Sequence, residues 1–168
     1  MQPPRRFDWK HLQPLQVGRY AEYFVKMEFT RLGFEVYTSE VDDRCVDFVV
    51  RRNADRFYDV QVKSVRGYKY IFVPKVKYPI ADHRFLATAL FHPSREPEIY
   101  LIPMTAWTKP NDLLASRDYE APGRKSKPEW GLNLSAKNQH LLDPYAFGLI
   151  APNLEGSRSP TTAPRAST

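Results

Sequence analysis

The chain has 168 residues, a net charge of +6 at pH 7 and a hydrophobic fraction of 42%. That is enough for one domain with a core of its own. A single cysteine excludes an intramolecular disulfide, and the sequence contains no apolar run near the ~20 residues that cross a bilayer. The basic N-terminus, Met1 to Arg6, is not followed by an apolar signal core. Together these features predict a cytoplasmic protein without a membrane partner.

Residues 1–13 read as an N-terminal arm. Pro14 suits a first helical turn and Gly33 a stop, so a helix is predicted from Pro14 to Leu32. Its apolar positions include Val17, Tyr20, Ala21, Phe24, Val25, Met27, Phe29 and Leu32. Glu22 interrupts that stripe at its border, nearly in line with Gly18, Val25 and Phe29. The structural alternative is a surface glutamate paired with Lys26 at i+4. A short strand follows at Phe34–Tyr37.

Two further strands, Cys45–Val50 and Phe57–Val65, are dominated by β-branched and aromatic residues. Residues 52–56 between them read as a hairpin turn. Centred on Ala54, that turn places Asp47 opposite Gln61 and Cys45 opposite Lys63. Directly paired residues share a sheet face with Cβ atoms roughly 5 Å apart. A one-residue slip would put Asp47 and Gln61 on opposite faces, although a bulge can restore alignment. Such polar groups are costly inside apolar strands unless they bind something.

A hard divalent cation is the natural occupant. Mg²⁺ takes carboxylate and carbonyl oxygens, keeps several waters and needs only one or two protein ligands. Asp47 supplies charge, Gln61 a carbonyl oxygen, and Lys63 lies one strand repeat further on the same face. A lysine there can stabilise a developing phosphorane or assist an attacking water. Asp59 shares the face and offers a second carboxylate.

Further on, Tyr68–Val73 is predicted as a strand ended by Pro74, with Tyr68, Tyr70 and Phe72 on one face. Cross-strand packing is the favoured role for those rings, base stacking the alternative. Phe85–Phe91 and Ile99–Ile102 are strand candidates, the first with helix as its alternative. Leu113-Leu114 suggests a short helix and residues 117–129 a polar loop. A helix from Asn138 to Phe147 would be broken by Pro144. Residues 14–150 thus form the expected domain. Residues 151–168, rich in Pro, Ser, Thr, Ala and Arg, form an expected disordered tail. The order of elements predicts an α/β fold around a mixed central sheet flanked by helices.

From Arg51 to Arg84 the sequence holds nine Lys or Arg against three acids. This makes a polyanion a natural partner. Arg51, Arg52, Arg66, Lys69, Lys75 and Lys77 are the candidate phosphate contacts. The four histidines lack zinc-ligand spacing, and no glycine-rich phosphate loop is present.

Glu22 on the first helix, Val46-Asp47-Phe48-Val49-Val50 and Tyr58-Asp59-Val60-Gln61-Val62-Lys63-Ser64 together resemble the PD-(D/E)XK nuclease superfamily. The similarity lies nearest its Holliday-junction-resolvase-like, Mrr-like and uncharacterised bacterial endonuclease-like members, over roughly residues 15 to 105. The resemblance implies a restriction-endonuclease-like α-β-β-β-α-β core and Mg²⁺-dependent endonucleolytic hydrolysis of DNA, with Mn²⁺ as substitute. It implies Asp47, Gln61 and Glu22 as metal ligands and Lys63 as the catalytic lysine. Two positions depart from the pattern: Val46 replaces the name-giving proline, and Gln61 replaces the second acid. The loss of a carboxylate at Gln61 motivates the alternative of a weak or inactive nucleic-acid-binding module on the same fold. A third reading is an accessory component that acts with a protein partner. No separate recognition domain is legible, so a homodimer or a protein partner is also expected.

Overall fold

The computed structural model describes residues 5–41, 44–53, 55–123 and 125–154. Helix α1 (Pro14–Arg31) starts on a proline, and the Gln16 side chain accepts a hydrogen bond from the Gln13 amide at 2.7 Å. It stops where Gly33 takes φ +85°, a left-handed turn that glycine adopts without a Cβ penalty. Val17, Ala21, Phe24, Val25 and Phe29 form its buried stripe. Tyr20 and Met27 are exposed, so the buried face is narrower than the sequence suggests. No helix among the described residues is long and apolar enough to cross a membrane.

The main sheet has five strands in the order β1 (Glu35–Thr38), β2 (Phe48–Arg51), β3 (Phe57–Arg66), β5 (Arg84–Phe91) and β6 (Glu98–Pro103). β3 and β5 are parallel, and the other neighbours are antiparallel. The sheet is therefore mixed, as expected. β2 and β3 pair as Phe48 with Val60, Val49 with Asp59 and Val50 with Tyr58. This is the register of a turn centred on residue 54, which itself lies outside the described residues.

Alternation divides the sheet between two cores. Phe48, Val50, Tyr58, Val60, Val62, Phe85, Ala87 and Phe91 pack with α1 and with α2 (Phe147–Ile150). Val65, Leu86, Leu90, Tyr100 and Ile102 face the other way. There they meet a second, three-stranded sheet in the order β4 (Tyr70–Pro74), β8 (Glu129–Asn133), β7 (Leu114–Arg117). Two 3-10 turns, Met104–Thr108 and Gln139–Tyr145, complete that second layer. Trp107 seals it by donating from Nε1 to the Gly131 carbonyl at 2.9 Å.

Several expectations change in this setting. The connection from β3 to β5 contains strand β4 and no helix, so the implied α-β-β-β-α-β order is altered there. Pro74, Pro79 and the apolar Tyr70–Val73 run oppose helix in that stretch. Phe85–Phe91 is strand, and Leu114 begins a strand because Leu132 pairs with it. Strand β8 has no counterpart in the sequence reading; it is short and its pattern gives no alternation. The N-terminal arm is not free: Trp9 is buried against Phe91 and donates from Nε1 to the Arg95 carbonyl. Packing continues past residue 150, since Ala151 and Leu154 are buried beside α2. Residues 1–4 and 155–168 of the expected arm and tail lie outside the described residues.

Tyr78, fully buried, shares its hydroxyl between the carbonyls of Asp59 and Phe85, each at 2.9 Å. It ties the β3–β5 crossover to both strands. Burial pushes its phenol well up, and burial with nearby Glu98 pushes Tyr100 up to about 12. Both shifts favour the neutral phenol in the folded state. Their contribution is therefore complete below the ordinary tyrosine range, and Tyr100's is lost as pH rises through about 12. In an ultraviolet titration the Tyr100 phenolate will be absent at about pH 11, when exposed tyrosines are ionised. The signal lost in Tyr100→Phe identifies it. Tyr78→Phe will lower unfolding free energy by about 1–3 kcal/mol in urea titrations, because two buried carbonyls lose their donor.

Candidate functional site

β3 is longer than its partner β2. Its ladder with β2 ends at Val60 opposite Phe48, while its ladder with β5 runs on to Arg66. Val60 and Val62 direct their backbone groups toward the β2 side, so Val62 sits at a fork with no ladder partner. Asp47 fills that place. Its own amide donates to the Val60 carbonyl at 3.0 Å, so Asp47 and Phe48 together face one residue, a β-bulge. Its Oδ2 accepts from the Val62 amide at 2.6 Å and from Gln61 Nε2 at 2.7 Å. The same Gln61 nitrogen donates to the Val62 carbonyl at 3.2 Å.

Asp47 and Gln61 are thus brought together, but not as an opposite pair in a regular ladder. The bulge places the carboxylate across the strand end. Gln61, 5% exposed, presents its amide nitrogen rather than the oxygen expected from the sequence. A carboxylate attracts an N–H donor and repels a carbonyl oxygen, so without a cation this orientation wins. The NH₂ group bridges the Asp47 carboxylate and the Val62 carbonyl, two oxygens suited to a hard cation.

Glu22 and Asp47 line one cavity of about 250 Å³, together with Pro14, Gly18, Arg19 and Val62. Gly18 faces Ser64 of β3, where a β-carbon would make only ordinary contact with Oγ at 3.9 Å, so the helix's approach does not depend on the glycine. Glu22 is held by Lys26 at 2.7 Å, the i+4 pair anticipated as its structural role, and by Arg19 at 2.9 Å. The pairing and the cavity coexist. Arg19 was missed by the sequence reading, although its i−3 spacing was the available signal.

Lys63 is half-buried on the sheet face of Gln61, in register with Thr88 of β5. Among the described residues it forms no ion pair or hydrogen bond. Thr88 Oγ1 is buried with no hydrogen-bond partner among the described residues. Asp59, offered as a second carboxylate, is engaged by Arg84 at 3.4 Å and His83 at 3.6 Å. Cys45 forms no ladder pair with Lys63; it adopts φ +56° and packs against the second core. Among the described residues no three His, Cys, Asp or Glu gather as a metal cluster. The donor set still fits Mg²⁺, which needs only one or two carboxylates and otherwise water. Asp47 and Glu22 could supply those, and Gln61 could add an oxygen only with its amide turned from the observed orientation.

Several proposed phosphate contacts have structural work. Arg66 donates from Nη1 to the carbonyls of Trp9 and Leu12 at 3.0 and 2.9 Å. Arg51 pairs with Glu35 at 2.6 Å, and Lys75 with Asp118 at 2.6 Å. Arg52 lies over the Phe34 ring. Lys69 and Lys77 are exposed.

No family model matches this chain, and no curated protein matches it. Among solved structures it is similar to Hjc, a Holliday junction resolvase from the archaeal hyperthermophile Archaeoglobus fulgidus. The TM-score is 0.42 and the identity 12%, covering 69% of this chain and 83% of that one. The likeness is remote.

Asp47→Ala removes the acceptor for a backbone amide and a side-chain amide at once. It will cost about 2 kcal/mol in denaturant unfolding, whereas Asp47→Asn, which keeps one oxygen, will cost less.

Proposed function

We propose that the chain is a metal-dependent nuclease that hydrolyses DNA phosphodiesters at the fork between β2 and β3. The observation that carries this reading is the convergence at Val62. There the Asp47 carboxylate and Gln61 amide meet, and Glu22 reaches the same cavity from α1. Asp47 and Glu22 would hold a Mg²⁺ or Mn²⁺ ion, with Gln61 turning its oxygen inward. The bound ion would supply Lewis-acid stabilisation of the phosphate and a water of lowered pKa. Lys63 lies one strand repeat from Gln61, on the sheet face away from α1 and outside the lining of the Glu22–Asp47 cavity, so it would meet the phosphate from the other side of the strand end. Arg19 and Lys26 fix Glu22 and raise the positive potential around the cleft.

A second reading has its own support. The Gln61 amide satisfies Asp47 without any cation, and a closed pair of this kind suits a non-catalytic nucleic-acid-binding module. A panel of linear, nicked, branched and single-stranded DNA in Mg²⁺, Mn²⁺ or EDTA decides between them. The nuclease reading expects metal-dependent cutting, reduced about a hundredfold or more in Lys63→Ala with DNA binding retained. Equal cutting by that variant would remove Lys63 from the chemistry. Salt-sensitive binding without cutting by folded wild type would establish the binding module.

Gln61→Glu separates the readings without an activity measurement. It sets two carboxylates against each other where an amide now bridges, which destabilises the fold in EDTA. With Mg²⁺ present the variant will regain stability, and its Tm difference between Mg²⁺ and EDTA will exceed that of wild type. A difference no larger than wild type's would argue against a cation at the fork.

A further inference from the structure

The second sheet has an outer face that the fork does not use. Ile71, Val73 and Leu132 turn inward to the second core, so Tyr70 and Phe72 turn outward. Phe72 lies opposite Gly131, which offers no side chain to cover it, and the residue is 50% exposed. Tyr70 lies across the same glycine, where a β-carbon would overlap its phenol. The ring is fixed from both sides: Arg117 stacks over it with the guanidinium 4.2 Å from the centroid, and its hydroxyl donates to Glu129 at 2.7 Å. Tyr119 donates to the same Glu129 oxygen at 2.8 Å. Glu129 is 7% exposed, so its charge is turned into the protein and satisfied there.

The rings border a cavity of about 550 Å³ whose rim carries Lys125 and Lys127. Both are exposed and make no ion pair among the described residues. The surface therefore presents the open ring of Phe72 beside the braced Tyr70, with two lysines next to them that form no ion pair among the described residues. Unpaired bases need the first and their phosphates the second. A duplex hides its base faces, and an acidic peptide has no use for them.

We propose that this face of the second sheet, Phe72 and Tyr70 with Arg117, Lys125 and Lys127, binds single-stranded DNA. Phe72 carries the base stacking, Tyr70 and Arg117 form a rigid wall, and the two lysines meet the backbone. The choice of DNA rests on the nuclease reading; the stacking chemistry does not. Joined to the fork, such a platform would make branched or frayed DNA the preferred substrate.

The test is fluorescence anisotropy of a labelled oligothymidylate of about 15 nucleotides, in EDTA, against the full chain. Phe72→Ala is expected to weaken binding about tenfold while leaving a duplex of equal length unaffected. Lys125→Glu combined with Lys127→Glu is expected to weaken binding and flatten its salt dependence. Wild-type affinity in Phe72→Ala, or displacement of the DNA by polyglutamate as readily as by unlabelled oligothymidylate, would overturn the proposal. Tighter binding of oligouridylate would overturn the choice of DNA. Loss of binding in Phe72→Ala with no cleavage by wild type would sink the nuclease and leave the platform standing. Cleavage with unchanged binding would do the reverse.

Discussion

The structure turns on a mismatch in strand length. β3 pairs with β5 through Arg66, but β2 deserts it after Val60, and the amide and carbonyl of Val62 are left facing an absent neighbour. Buried backbone groups cannot stay unpaired at low cost. Asp47 accepts from one and Gln61 donates to the other, so the side chains that answer a backbone need are also those with metal-binding chemistry. A site built this way is held in place by the fold's own hydrogen bonding. The same economy makes Asp47 structurally costly to remove, whatever its chemistry.

Around that fork the two faces of the sheet have separate tasks. One face carries α1, whose Glu22 enters the cleft. The other is roofed by a second sheet that the β3–β5 connection contributes through β4. The roof buries an apolar inner layer and leaves Tyr70 and Phe72 outside. A β connection in place of a helix thus adds a surface: a helix would bury one stripe, while a strand shows its alternate residues to solvent.

Much of the organisation was legible because its causes are local. Pro14 and Gly33 bracket α1 through their own backbone preferences. The length of the 52–56 turn sets the register that brings Asp47 near Gln61. The roles of the cations were less legible. Arg66 and Lys75 look alike in a list of basic residues, yet one braces the N-terminal arm and the other pairs with Asp118. Their partners lie far off in the chain, and charge alone does not name a partner. Leu114 and Trp130 were opaque for the same reason: as a strand each depends on the other's neighbourhood, not on its own pattern.

By itself, then, the sequence determined an α/β chain with a leading helix, a β2–β3 hairpin, and the candidates Glu22 on that helix and Asp47, Gln61 and Lys63 around the hairpin. Period and turn chemistry act over a few residues, and those features need nothing more. The tertiary structure decided which way Gln61 faces, that Glu22 shares a cavity with Asp47, and that Asp59 is spent on Arg84 and His83. Each depends on where one element ends beside another. Hydrogen-bond demand at such an end is created only when the pieces are assembled.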